Sequence, residues 1–357
     1  MTIITRRTLL RSGAALGAAG ALGATLGRGT ALAQEMSPYE RQLYEAAKKE
    51  GEVTWYSGQL SAEPGEAVGQ AFSARYPGIK ANVIRSTSQV AFQRLSQDLR
   101  ARTPQCDIFS STDSGHYVFL KREALLTKFR PKNADGMIQA ARKADPDDMF
   151  QTCYFGLYLM GFNTQKVSEA EAPKSWTDLL DPKWKDRIAV GHPGYSGAIG
   201  IWALLMKQMY GVDYLKKLER NKPQIGRSSM DPVTLMNGGE REIGIAIPSA
   251  TTLLSMSRGN PLKLIYPTDG TVATPSPTAI IANAPHPNAA KLFMEFATGP
   301  EYSRVITKFF NESLRPEVAP PVGGRPLDQI KLIMPTMEEA EKGVPEMREA
   351  WRDIFGV

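Results

Sequence analysis

The sequence predicts an α/β protein of two lobes, each a mixed, mostly parallel sheet flanked by helices, joined by extended crossover strands. Three observations carry that expectation. At 357 residues the chain suits about two domains, at roughly 150 residues each. Strand and helix patterns alternate twice, once from Glu52 to a helix after Asp113 and again from Ile188 to Ile247. Between the two sets runs a longer strand-like stretch, Tyr154 to Phe162, suited to crossing between lobes.

The first 33 residues stand apart. Thr5-Arg6-Arg7-Thr8-Leu9-Leu10-Arg11 precedes a weakly apolar run ending in Ala31-Leu32-Ala33, the layout of a cleavable export signal. The paired arginines point to the twin-arginine route. A membrane anchor is the alternative, but six glycines between Gly13 and Gly29, together with Arg28, interrupt the run. Of the formal charge of +6, four units sit on Arg6, Arg7, Arg11 and Arg28, so 324 mature residues carry +2. No run of five or six basic residues remains, and no nucleic-acid partner is expected. Two cysteines, Cys106 and Cys153, exclude a disulfide-rich scaffold and a Cys-based zinc cluster. They either pair after export or lie apart as buried thiols.

Ser37-Pro38-Tyr39-Glu40 reads as a capping box opening a helix that Gly51 closes. Glu52 to Tyr56 is a strand running into Ser57-Gly58-Gln59, and a helix from about Ala62 to Tyr76 stops at Pro77-Gly78. Ile79 to Ile84 forms the next strand; Arg85-Ser86-Thr87-Ser88 then turns into a helix carrying Phe92, Leu95 and Leu99 on its apolar face. Cys106 to Phe109 is a short strand delivering Ser110-Ser111-Thr112-Asp113 to a helix. In the second set, strands at Ile188–Gly191, Gln224–Arg227 and Ile243–Ile247 alternate with helices at Ser196–Met209 and from Asp231-Pro232. Tyr266-Pro267-Thr268-Asp269-Gly270 is a turn before a return crossing, and the chain ends in mainly helical sequence after a proline-rich loop at Glu317–Pro326.

Ligands of open parallel sheets collect at the carboxyl ends of strands, where loops enter helices. Here those loops are small and polar: Ser57-Gly58-Gln59, Ser86-Thr87-Ser88, Ser110-Ser111-Thr112-Asp113, Gly194-Tyr195-Ser196-Gly197, Ser228-Ser229 and Ser249-Ala250-Thr251. Their hydroxyls and N–H groups suit an anion or a polyhydroxylated solute; in any single loop a helix cap is the simpler role for the serine or threonine, and it is the six loops together that point to a shared cleft. The candidate ligand residues are Ser57, Gln59, Arg85, Ser86, Thr87, Ser111, Thr112, Asp113, Tyr195, Ser196, Gly197, Ser249 and Asp269. Arg85 would supply counter-charge to an anion, while Asp113 or Asp269 would receive an amino group; salt bridges between loops are the alternative for each. Arg227, Tyr154 and Tyr266 also follow or flank strands.

No catalytic, metal or cofactor motif stands beside these loops. His116, His192 and His286 are scattered, and His116 reads as a surface or supporting residue. No G-x-S-x-G elbow, Walker loop or G-x-G-x-x-G occurs.

Four tracts carry a family resemblance: Glu52–Gln59, Asp107–Ser111, Ser175–Lys185 and Pro193–Gly197, with Ala172 to Lys185 the most specific. On these the chain resembles periplasmic solute-binding proteins of ABC importers, nearest the branch of ferric-binding proteins, over essentially residues 35–350. The resemblance implies a type II-like two-lobed fold, a periplasmic location, a small-molecule solute clamped by hinge motion, delivery to an inner-membrane permease, and a monomer. It also implies a division into lobe 1 (34–156 plus 271–318) and lobe 2 (157–270 plus 319–357). Ferric binders of this branch place a histidine after the first Gly-Gln, a glutamate after the third strand, and adjacent tyrosines after the counterpart of Ile243–Ile247. This chain has Leu60, Thr112 and Ala250-Thr251 there. Hydroxyls do not replace phenolates and a carboxylate around a hard ferric ion. The expected cargo is therefore a small polar solute, anionic or zwitterionic. A ferric receptor using other tyrosines and a secreted two-lobed enzyme are the alternatives.

Overall fold

Alternating apolar runs become strands, and the amphipathic segments between them become helices, because each buries one face on its neighbours. The computed structural model describes residues 36–142 and 144–357; the export signal expected at 1–33 lies outside the described residues. The strands are β1 (Glu52–Gly58), β2 (Lys80–Arg85), β3 (Ile108–Ser111), β4 (Leu126–Thr127), β5 (Gln151–Asn163), β6 (Ile188–Val190), β7 (Gln224–Ile225), β8 (Ile243–Pro248), β9 (Leu262–Ile265), β10 (Thr271–Ile281) and β11 (Leu332–Ile333). The helices are α1 (Pro38–Lys48), α2 (Ala62–Arg75), α3 (Ser88–Arg100), α4 (Gly115–Arg122), α5 (Gln139–Arg142), α6 (Gly197–Tyr210), α7 (Asp213–Glu219), α8 (Asp231–Asn237), α9 (Ser249–Ser257), α10 (Pro287–Ala297), α11 (Pro300–Thr307) and α12 (Met337–Phe355).

The strands join in the order β2-β1-β3-β10-β5-β8-β6-β7, with β4 and β11 on β10 and β9 on β5. β1 is parallel to β2 and β3, and β6 is parallel to β7 and β8. These two parallel blocks are linked by β5 and β10, which run antiparallel to each other. Ser110 of β3 lies opposite Thr278, while Pro248 of β8 lies opposite Tyr158, itself paired with Val272. The carboxyl ends of the two blocks thus meet the crossover pair about 20 Å apart, at roughly 3.3 Å per residue. Between them the ladder is weakened: Pro275 and Pro277 donate no hydrogen bond, and the register shifts at Ser276/Pro277. Gly156 is required there, since a Cβ would lie 2.9 Å from Thr274 Oγ1.

Apolar clusters among the described residues stabilise the arrangement, each large side chain contributing about 1.5–3 kcal/mol on burial. One packs Tyr56, Leu95, Phe109, Tyr117 and Leu120 behind β1 and β3. Another gathers Trp176, Trp184, Trp202 and Trp351 around β6, α6 and α12. A third, unforeseen in the sequence, joins Phe155, Leu157 and Leu159 of β5 to Ile138 before α5, Val233 of α8 and Leu253 of α9.

Several sequence expectations shift in detail. β5 begins at Gln151 rather than Tyr154. β7 ends at Ile225 rather than Arg227, because the Arg227 and Ser228 N–H groups donate to Asp231 Oδ2 at 2.6 and 3.1 Å. Ser110 and Ser111 belong to the strand β3, not to the loop after it. Cys106 and Cys153 are buried and unpaired, which settles their alternatives in favour of separate thiols. The tract Ala172–Lys185 is scaffold: Ser175 and Asp178 form a capping box, Trp176 Nε1 donates to Gly270 O at 2.7 Å, and Trp184 is buried.

Candidate ligand-binding site

In the first block, Ser88 at the start of α3 ties three loops together. Its hydroxyl donates to Gly58 O at 2.9 Å, accepts from Thr112 N–H at 3.1 Å and lies 2.9 Å from Thr112 Oγ1. The loops are so close that a Cβ on Gly58 would fall 2.9 Å from both Ser110 O and Ser88 Cα. Ser57, Gln59, Ser86, Thr87, Ser111 and Thr112 are thereby brought to one end of the block. Of these hydroxyls only that of Thr87 acts as a helix cap, accepting from Val90 N–H at 3.5 Å. Ser57 Oγ is fully buried with no hydrogen-bond partner. Gln59 reaches Tyr302 OH and Thr278 Oγ1, each at 3.4 Å.

Other predicted residues have bonds of their own within the protein. Arg85 is exposed and its Nε donates to Leu60 O at 3.1 Å. The Asp113 carboxylate accepts from Gly115 N–H at 2.9 Å and Gln89 Nε2 at 2.8 Å. Asp269 Oδ2 accepts from Trp176 N–H at 2.8 Å and Tyr210 OH at 2.6 Å, while its Oδ1 is buried without a hydrogen-bond partner. His116 is no surface residue: it is 6% exposed, stacked on Phe92 at 3.9 Å, with Nδ1 2.9 Å from Ser111 Oγ. Burial lowers its pKa, and the Asp113 charge opposes that effect. Ser111, His116 and Asp113 approach the arrangement of a hydrolytic triad. However, Ser111 is fully buried and its Oγ also accepts from Asp113 N–H at 3.0 Å, so it serves the turn.

In the second block, Ser196 stands at the start of α6 with no side-chain cap bond, beside the exposed Gly197. Tyr195 is 67% exposed, and the Arg227 guanidinium lies over its ring at 5.0 Å, joining the loops after β6 and β7. Ser228 Oγ, by contrast, donates to Asp231 Oδ1 at 2.7 Å. Ser249 opens α9 directly after β8 and is buried; its Oγ donates to Glu312 Oε1 at 2.7 Å.

Glu312 and the middle of the crossover pair were missed in the sequence. Glu312 is 1% exposed, and burial raises its pKa to about 7 against the opposing effect of the Ser249 hydrogen bond. Its Oε2, Ser276 Oγ and both side-chain polar atoms of Gln151 are buried without partners. Tyr154 and Tyr266 both have pKa values raised, first by burial and further by the Glu312 charge, that of Tyr266 to about 12. No periodicity marks these positions; the polar trio Asn311-Glu312-Ser313 beside Leu314 was the single available signal. Among the described residues no three His, Cys, Asp or Glu side chains form a metal-holding group. No described helix is long and apolar enough to cross a membrane.

Comparisons with known proteins add family information to this geometry. The model of a family of bacterial extracellular solute-binding proteins matches residues 104–342. A Salmonella typhimurium periplasmic protein provisionally named for 2-aminoethylphosphonate binding is 23% identical over 287 residues, covering 76% of this chain and 77% of that one. The periplasmic binding protein AfuA of Actinobacillus pleuropneumoniae, solved with fructose-6-phosphate bound, superposes with a TM-score of 0.66 at 23% identity, over 85% of this chain and 98% of that one. Iron-bound HitA from Pseudomonas aeruginosa superposes with a TM-score of 0.70 at 21% identity, over 85% and 99%. At such identities the structures establish the two-lobed fold.

Proposed function

Because the chain belongs to the bacterial extracellular solute-binding protein family, we propose that it is the periplasmic receptor of an ABC importer for a small organic anion, with a phosphonate or phosphate ester foremost. One observation carries the reading: both parallel blocks end in hydroxyl-bearing loops at helix starts, and both ends meet the same crossover pair. Uncoordinated N–H groups at such starts attract anions. Tyr195 and Arg227 lie on the second block and Ser86 to Ser88 on the first, so closure around a solute would engage both. Weak ladder bonding near Pro275 and Pro277 supports a hinge there, with residues 34–156 plus 271–318 forming lobe 1 and 157–270 plus 319–357 lobe 2.

The likeness to a protein provisionally named for an aminophosphonate and to one holding a sugar phosphate supports an anionic cargo. The receptor delivers this cargo to its permease as a monomer, without a catalytic step, and reaches the periplasm by the twin-arginine route. Substituting Arg6→Lys and Arg7→Lys together leaves uncleaved precursor in the cytoplasm; normal export of that variant would refute the route. The receptor reading is tested by thermal-shift screening against phosphonates, phosphate esters, carboxylates and ferric citrate. A rise in midpoint with organic anions is expected, and a response confined to ferric citrate, or no response, would overturn it.

A further inference from the structure

Glu312 is a buried carboxylate with no cation of its own. Among the described residues no Lys, Arg or His lies within ion-pair distance of it, and its Oε2 has no hydrogen-bond donor. An isolated carboxylate at this depth is costly unless something compensates it. Its position is set firmly. Asn311 Nδ2 donates to Phe309 O at 3.1 Å just after α11, Leu314 O accepts from Ile138 N–H at 2.9 Å, and Arg315 binds Asn133 O.

The carboxylate sits at a functional crossroads. Through Ser249 it touches the first residue of α9, which follows β8 directly, and Pro248 at the end of β8 pairs with Tyr158 of the crossover strand β5. Tyr154, on the same strand, and Tyr266, before β10, both lie within reach of its charge. While ionised, Glu312 obliges Ser249 to donate to it, so the serine's proton is engaged and only its lone pairs remain free to accept. The local chemistry is then acceptors and aromatic rings, which suits a positive group.

We propose that Glu312 Oε2 accepts the ammonium group of a zwitterionic solute whose anionic end is held by the hydroxyl loops. This assignment rests on the organic-anion reading above and narrows it to solutes carrying an amine. Asp113 accepts through both oxygens, from Gly115 N–H and Gln89 Nε2, whereas Asp269 accepts through Oδ2 alone and its Oδ1, like Glu312 Oε2, is buried without a partner.

The test is calorimetric titration of the protein purified from the periplasm with 2-aminoethylphosphonate and ethylphosphonate, which differ in the ammonium alone. A charge-assisted hydrogen bond predicts that the amine tightens binding by about tenfold or more, and that Glu312→Gln brings the ratio of the two Kd values near one. A ratio near one in the parent, or an unchanged ratio in Glu312→Gln, overturns the assignment while leaving the anion reading intact. Silence from both phosphonates, with other anions still raising the thermal midpoint, likewise overturns it alone; silence from every organic anion overturns both readings. A visible charge-transfer band with ferric salt that Glu312→Gln abolishes overturns it in favour of a metal site.

Discussion

Replacing Glu312 by glutamine should stabilise the ligand-free protein above neutral pH. The side chain is 1% exposed, and its pKa rises from the ordinary 4.5 to about 7. A raised carboxyl value means that the protonated form is favoured on folding. The resulting stabilisation is present in full below about 4.5 and is lost as pH climbs to about 7. That span corresponds to about 3 kcal/mol. Glutamine fills the same volume, keeps an oxygen to accept from Ser249 and has no proton to lose. The unfolding free energy of the parent should therefore fall by about 3 kcal/mol relative to Glu312→Gln between pH 4.5 and pH 8. Urea titrations of both proteins at several pH values measure this, and comparing the two cancels every other titrating group. A difference that does not vary with pH, or a variant less stable than the parent at pH 8, would refute the argument. Saturating the parent with a solute that places an ammonium on Oε2 should flatten its slope, because the charge is then compensated.

Three further substitutions or measurements probe the surrounding frame. Asp269→Ala deprives Trp176 N–H and Tyr210 OH of their acceptor, and urea unfolding should show a loss of about 2–3 kcal/mol; unchanged stability would show that the turn does not depend on it. Gly58→Ala drives a methyl into Ser110 O and Ser88 Cα at 2.9 Å, and calorimetry should show weaker solute binding with about 1–3 kcal/mol lost in stability. Wild-type affinity in that variant would remove the first block's loop cluster from the site. His116, its pKa lowered by burial, should titrate below 6.5 when its ring protons are followed by NMR. The stabilisation from neutral His116 is present above that value and lost as pH falls through the depressed one; a titration at or above 6.5 would contradict its packing.

Element order was readable because burial imposes a period on the side chains. Val53, Trp55 and Tyr56 mark β1, while Phe92, Leu95 and Leu99 mark one face of α3. Loop ends carried local signals too, such as Pro77-Gly78 after α2. Side-chain roles were less legible, since the same serine chemistry serves caps, ties and ligands. Ser88 ties three loops, Thr87 caps α3, and Ser57 is left with an unpartnered hydroxyl, yet nothing in one dimension separates them. Of the two aspartates expected to choose a ligand's charge, Asp113 is bonded through both oxygens and Asp269 through Oδ2, which a linear reading does not reveal.

By itself, the sequence determined the alternating α/β order, the two crossings, the polar character of the loops and a formal charge of +6, four units of it on arginines among the first 28 residues. These follow from patterns within a few residues of one another, or from simple counts. Tertiary structure alone decided that residue 312 lies beside residue 249, that Asp269 belongs to Trp176 and Tyr210, and that the cysteines stay apart. Each of those depends on contacts between segments distant in the chain, and whether a carboxylate is solvated, paired or left alone is settled only when such segments close over it.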